Sequence, residues 1–170
     1  MKLIKLLVLS AAMFVGVAAN GQELKFGHID VQKLISEIPE KIAAEKTLQD
    51  EAKKLEDQLK VMGSDLEKKY TEYMSQRDSL PDLIRATKEK EIQDADQRIK
   101  NYQGMAQQSI GQKEQQLLQP IIEKVQKAID EVGAENGLIY IFDISSQVVL
   151  YHSEKSIDAA PLVKAKMGIK

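Results

Sequence analysis

Asp78-Ser79-Leu80-Pro81-Asp82 is the passage on which the fold is decided. It is the one helix stop signal between Pro39 and about Asn136, a stretch otherwise poor in β-branched residues and dense in Glu, Lys, Gln and Leu. Pro81 cannot donate a backbone hydrogen bond but suits a first helical turn. Ser79 with Asp82 three residues later has the spacing of a capping box, with Asp where Glu or Gln is usual. On either side runs an apolar series: Ala52, Leu55, Leu59, Met62 and Leu66 before the passage, Ile92, Ala95, Ile99, Tyr102 and Ala106 after it. Both are spaced 3-4-3-4, the a/d seam of a coiled coil. Folded back about residue 79, position 52 falls opposite 106, 55 opposite 102, 59 opposite 99, 62 opposite 95 and 66 opposite 92. Periodicity and turn chemistry therefore agree on a long antiparallel helical hairpin over 39-118 with its tip near residue 79. Each limb is expected to be about 60 Å long at 1.5 Å per residue.

The polar faces fit exposed helices. Asp50 with Lys54, Glu56 with Lys60, Asp65 with Lys69, Asp94 with Arg98 and Asp96 with Lys100 place an acid four residues before a base. Each such pair contributes about 0.2–0.5 kcal/mol, and the pattern reads as a solvated helix face rather than a charged binding site. The seam has flaws: Glu45, Lys69 and Gln76 fall on its register, and Gly63, Gly104 and Gly111 interrupt the limbs. These glycines are expected either to bend the arm or to admit close helix approach, and the sequence does not choose between them.

Working outward, apolar strands flank the hairpin. Leu24 to Val31 reads as one strand. Leu138 to Phe142 and Val148 to Tyr151, separated by Asp143-Ile144-Ser145-Ser146, read as a β-hairpin. Asn136-Gly137 ends the preceding helix, and Asp158 is expected to cap a short helix through about Lys166, with Pro161 in its first turn. A small β body over 22-38 and 119-170 thus receives the arm as an insertion, an α+β architecture. Strands apolar on both faces need covering on both sides, and one short helix cannot cover these. An oligomer closed through Ile29, Val31, Leu138, Ile139, Tyr140, Ile141, Phe142, Val148, Val149, Leu150 and Tyr151 is therefore expected, cyclic symmetry being the common route.

The 170 residues carry 24 Lys and Arg against 26 Asp and Glu, with no Cys. No disulfide framework, thiolate metal site or cysteine nucleophile is possible, and the near-neutral balance argues against nucleic acid as a partner. Lys2 and Lys5, the uncharged run Leu6 to Ala19 and the small residues Ala18, Ala19 and Gly21 have the pattern of a signal peptide over 1-21. That apolar run is shorter than the roughly 20 residues of a membrane span. Losing Lys2 and Lys5 takes the formal charge from −2 to −4.

In their order, these features resemble the Skp/OmpH family of periplasmic chaperones for outer-membrane proteins. The matching pieces are Phe26-Gly27-His28-Ile29-Asp30-Val31, the charged hairpin, Leu117-Leu118-Gln119-Pro120-Ile121-Ile122, Glu135-Asn136-Gly137, the apolar strands to Leu150-Tyr151, and Ile157-Asp158. The resemblance covers essentially the whole chain after residue 21. It implies a jellyfish-shaped homotrimer in which a β body carries three helical arms around a cavity. It also implies an ATP-independent periplasmic holdase that keeps unfolded outer-membrane proteins soluble, with no cofactor. No Gly-x-x-x-x-Gly-Lys-Ser/Thr nucleotide loop occurs in the sequence. The family's best-known member is strongly basic, whereas this chain has a pI of about 5.8, so no lipopolysaccharide site is carried over.

Tyr73, Met74 and Met105 are the candidate client contacts, because Met and Tyr suit adaptable surfaces. Met62 and Tyr102 fall on the seam and are assigned to it. His28 and Asp30 share one face of the first strand but lack a third ligand of suitable spacing, and no nucleophile elbow or zinc helix is present. No catalytic or metal residue is therefore assigned, and the chain is not expected to be an enzyme. The competing expectation is a secreted coiled-coil scaffold of the cell envelope without chaperone activity.

Overall fold

The structure, a computed structural model, describes residues 24–169. The expected signal segment lies outside the described residues. The elements run β1 (Lys25–Ile29), α1 (Val31–Ser36), α2 (Pro39–Gln76), a single 3-10 turn (Arg77–Ser79), α3 (Asp82–Asn136), β2 (Leu138–Asp143), β3 (Ile157–Asp158) and α4 (Ala160–Met167). The architecture is α+β: two long helices form an antiparallel arm, and a three-stranded sheet with two short helices forms its base.

Pro39 opens α2, whose 38 residues span about 57 Å. The tip is closed differently from the expected capping box. The Ser79 hydroxyl donates backward to the Gln76 carbonyl at 2.8 Å, and Pro81 precedes α3 with no side-chain cap. Asp82 instead pairs with Arg85 at 3.3 Å, while Arg85 Nη2 donates to the Leu80 carbonyl at 3.2 Å. The box fails because Ser79 still lies inside the 3-10 turn, two residues short of the capping position. At the far end Gly137 takes φ 64°, and its N–H returns to the Ala134 carbonyl. That left-handed stop suits glycine.

Of the five expected helix pairs, Glu56–Lys60 at 2.9 Å and Asp96–Lys100 at 2.6 Å form. Lys54 turns to Glu51 at 3.5 Å, and Lys69 reaches across the arm to Glu91 at 3.6 Å. Helix α3 runs unbroken through Gly104 and Gly111. A Cβ added at Gly63, Gly104 or Gly111 would meet nothing within 4 Å, so close helix approach does not explain these glycines. Gly104→Ala with Gly111→Ala is expected to stabilise α3 by about 1 kcal/mol per site. If the glycines let the arm bend, the same pair narrows the spread of tip-to-base distances between paired spin labels, and an unchanged spread counts against bending there.

The sheet departs from the expected hairpin. Its strand order is β2-β1-β3, and both pairings of β1 are parallel. Parallel neighbours need a crossover connection, and here the whole arm is the crossover between β1 and β2. Val148 to Tyr151 forms no strand among the described residues. After β2 the chain is turned away by Asp143, which accepts from Ser145 N at 2.9 Å, Ser145 Oγ at 2.8 Å and Val31 N at 3.3 Å. Burial pushes the Asp143 carboxyl up, but these three hydrogen bonds outweigh it and hold the group below the ordinary carboxylate range. Their contribution is therefore present above that range and fades as pH falls through it.

Val31 is likewise not in a strand. Asp30 accepts from Lys33 N at 2.8 Å and starts α1 at Val31. Asp158 accepts from Ala160 N at 2.9 Å just before α4, close to its expected capping role, though Ala159 is the capping residue itself.

The core lies between one sheet face and the helices. Ile29, Leu34, Ile38, Ala44, Ile121, Val125, Ala128, Val132, Ala159 and Val163 are buried together. Each large side chain among them contributes about 1.5–3 kcal/mol by leaving water. Gly27, on the middle strand, is held tight: a Cβ there would come within 3.0 Å of Leu138 Cδ1 and 3.2 Å of Ile141 Cγ1. Ion pairs brace the base, with Lys124 to Glu40 at 2.6 Å, Lys166 to Glu131 at 3.2 Å and to Glu135 at 2.6 Å, and Lys164 to Glu37. Pro120 lies within α3 just beside this base and removes one helical hydrogen bond there.

Candidate functional site

Side chains alternate across a strand, so the face of the sheet turned from the core is set by the same residues that build the core. Gly27 and Ile29 face inward; Phe26 and His28 face outward with Tyr140 and Phe142 of β2. The three aromatic rings form one stacked group, with centroids 6.5 Å apart for Phe26–Tyr140, 6.3 Å for Phe26–Phe142 and 5.8 Å for Tyr140–Phe142. They remain 39 %, 60 % and 43 % exposed for Phe26, Tyr140 and Phe142. Beside them, His28 stacks on His152 at 3.9 Å, with its Nδ1 2.9 Å from Ser156 Oγ. This contact pins the end of the segment that carries Val148, Val149, Leu150 and Tyr151. Val148, Leu150 and Tyr151 nevertheless project almost entirely into solvent in the single chain. Gln147, at φ 58°, turns the chain into that segment.

Of the expected body residues, Ile29 is in the core, and Leu138 and Ile141 are half-buried toward it. Ile139, Tyr140, Phe142, Val148, Leu150 and Tyr151 are exposed, Val149 half-buried, and Val31 belongs to α1. Phe26 and His28 are additions to the outer face that the sequence reading did not assign to it. The signal was present in the two-residue period that puts Phe26 and His28 on one side.

Along the arm, Ala95 is buried, and Leu55, Leu59, Met62, Leu66, Ile92, Ile99, Tyr102 and Ala106 are half-buried between the limbs. Ala52 stays exposed. Tyr73 needs correction as a client contact. It is only 6 % exposed, and its hydroxyl donates to the Glu89 carboxylate of the opposite limb. Glu89 above all, with burial adding to it, raises the phenol above its ordinary range. The ring falls on the inward side because the seam continues seven residues past Leu66. Met74 and Met105 are exposed, as are Tyr70, Leu83 and Ile84 near the tip.

Among the described residues no group of three or more His, Asp and Glu is placed to hold a metal ion, and no helix is long and apolar enough to cross a membrane.

Fold and surface together define an α+β protein whose sheet leaves one aromatic face uncovered and whose crossover is a projecting helical arm. The family described as outer membrane protein (OmpH-like) matches residues 25–167, and the chain belongs to that family. The comparison with curated proteins gave no match.

Proposed function

We propose that this protein is an ATP-independent holdase chaperone of the periplasm that binds unfolded outer-membrane proteins between its arms and prevents their aggregation. In this reading the base, 22-38 with 119-170, is the oligomerisation unit, and three copies close their aromatic sheet faces on one another. The arms, 39-118, then enclose a shared cavity. Family membership over nearly the whole described chain is the observation that carries the reading. The uncovered Phe26–Tyr140–Phe142 group supports the oligomer, since so much aromatic surface on a small base calls for a partner. Many weak contacts spread over several arms add through effective concentration, so no single strong site is required.

The test is aggregation of a urea-denatured β-barrel protein on dilution. The mature chain at about threefold excess is expected to suppress light scattering in a dose-dependent way without ATP. Unchanged scattering in the presence of an intact oligomer would instead favour an envelope scaffold.

A further inference from the structure

The two limbs of the arm do not pack evenly. Inward-facing residues run Glu51, Leu55, Leu59 on α2 and Tyr102, Ala106, Ile110 on α3, each in steps of four, where neighbouring parts of both seams alternate three and four. Such an insertion unwinds a coiled coil locally. Small residues, Ala52 on α2 and Ala106 on α3, line the limbs at this height, and a groove of about 610 Å³ opens there between them. Leu55, Leu59, Ala106 and Ile110 make its apolar floor, and Gln103 and Gln107 stand on its α3 wall. Asn101–Gln112 is the longest uncharged run after Glu23, in a chain that is 29 % charged. Among the described residues, the Gln103 and Gln107 carboxamides make no hydrogen bond within the chain, as is true of most glutamines on the two long helices, Gln97, Gln119 and Gln126 excepted.

We infer that this groove is a binding site for an extended segment of unfolded polypeptide, one apolar side chain entering it while Gln103 and Gln107 bond the segment's backbone. The inference rests on the holdase reading and names the part of the arm that does the gripping. A carboxamide both donates and accepts, so it can satisfy the free N–H and C=O groups of any extended chain irrespective of sequence. An ionised group in that wall would be costly to desolvate beside an apolar side chain. The uncharged run keeps such groups off the α3 wall, and on the α2 wall the one lining acid, Glu56, is ion-paired with Lys60 at 2.9 Å. The groove is wide open to solvent, so it would cover one side of an entering side chain rather than enclose it.

Two variants test this, with a fluorescein-labelled, urea-denatured β-barrel protein as probe and anisotropy on dilution as the readout. Ala52→Leu with Ala106→Leu fills the groove. It is expected to weaken probe binding about tenfold while the melting temperature stays level or rises. Gln103→Glu with Gln107→Glu leaves the groove open but charges its wall, and is expected to weaken binding by a similar factor with helicity unchanged. This second pair decides the matter should the first fail to fold. Wild-type affinity in either folded variant overturns the groove while leaving the holdase reading standing. Unaltered binding with a changed native mass also overturns it, because a second arm would then be the occupant. Failure of the wild-type protein itself to bind the probe overturns the holdase reading and the groove together.

Discussion

In the trimer proposed above, exchanging Tyr140 and Phe142 together for Ser is expected to reduce the native mass from three chains to one, with the far-ultraviolet helix signal unchanged. Both rings lie on the outer sheet face and belong to the same stack as Phe26. Neither is among the residues buried in the core. Removing them leaves the single chain's core intact and removes the surface a partner would cover. At about 1.5–3 kcal/mol for fully burying a large apolar side chain, and with Tyr140 and Phe142 60 % and 43 % exposed rather than fully so, two rings in each of three copies amount to about 5–9 kcal/mol per assembly. A difference of that size shifts dissociation by several powers of ten. Light scattering after gel filtration reads the result directly. A double variant that keeps the mass of the wild-type complex would show that some other surface holds the copies together.

Ile29→Ala has the opposite signature: it attacks the single chain. Ile29 is 1 % exposed on the middle strand, packs in the core with residues of every helix, and its carbonyl accepts from Ile144 N at 2.9 Å. Truncating a buried Ile to Ala costs about 2–5 kcal/mol, a large part of the 5–15 kcal/mol typical of a domain. Urea denaturation should show the loss as an earlier midpoint. Hydrogen exchange should show it as faster opening of the β1 amides while the distal arm, whose contacts are local, is less affected. A change below about 1 kcal/mol would mean that the base draws little stability from its middle strand.

The arm was legible in the sequence because its rules are local. A 3-4-3-4 seam, mirrored about a Pro-containing stop, permits few folds other than a hairpin, and Leu55, Leu59, Met62, Ile92, Ala95 and Ile99 face inward accordingly. The base was legible in composition but not in connection. Two apolar runs four residues apart look like a hairpin, yet Leu138–Asp143 pairs with β1 across the arm, and Val148 to Tyr151 is left unpaired. Short apolar runs do not reveal whether they pair with a sequence neighbour or a distant strand, and here the Asp143 turn leads the chain away from an antiparallel return. Tyr73 reads as a surface contact in the sequence because its burial depends on the seam continuing past Leu66 through the flaw at Lys69. The groove escaped notice because it needs both limbs aligned: a step of four in one helix means little until the other takes the same step at the same height.

The arm's role as the connection between β1 and β2 has a consequence for how the chain folds. Ile29 and Leu138 cannot meet until the whole intervening stretch has been made, and contacts so distant in sequence slow folding because loop closure comes before any gain. A helical hairpin offsets that cost. Limbs that zip from the tip by local contacts bring residues 38 and 121 into the same core. The order implied is arm first and sheet second, so that the aromatic face comes into being only when the chain already carries its arm.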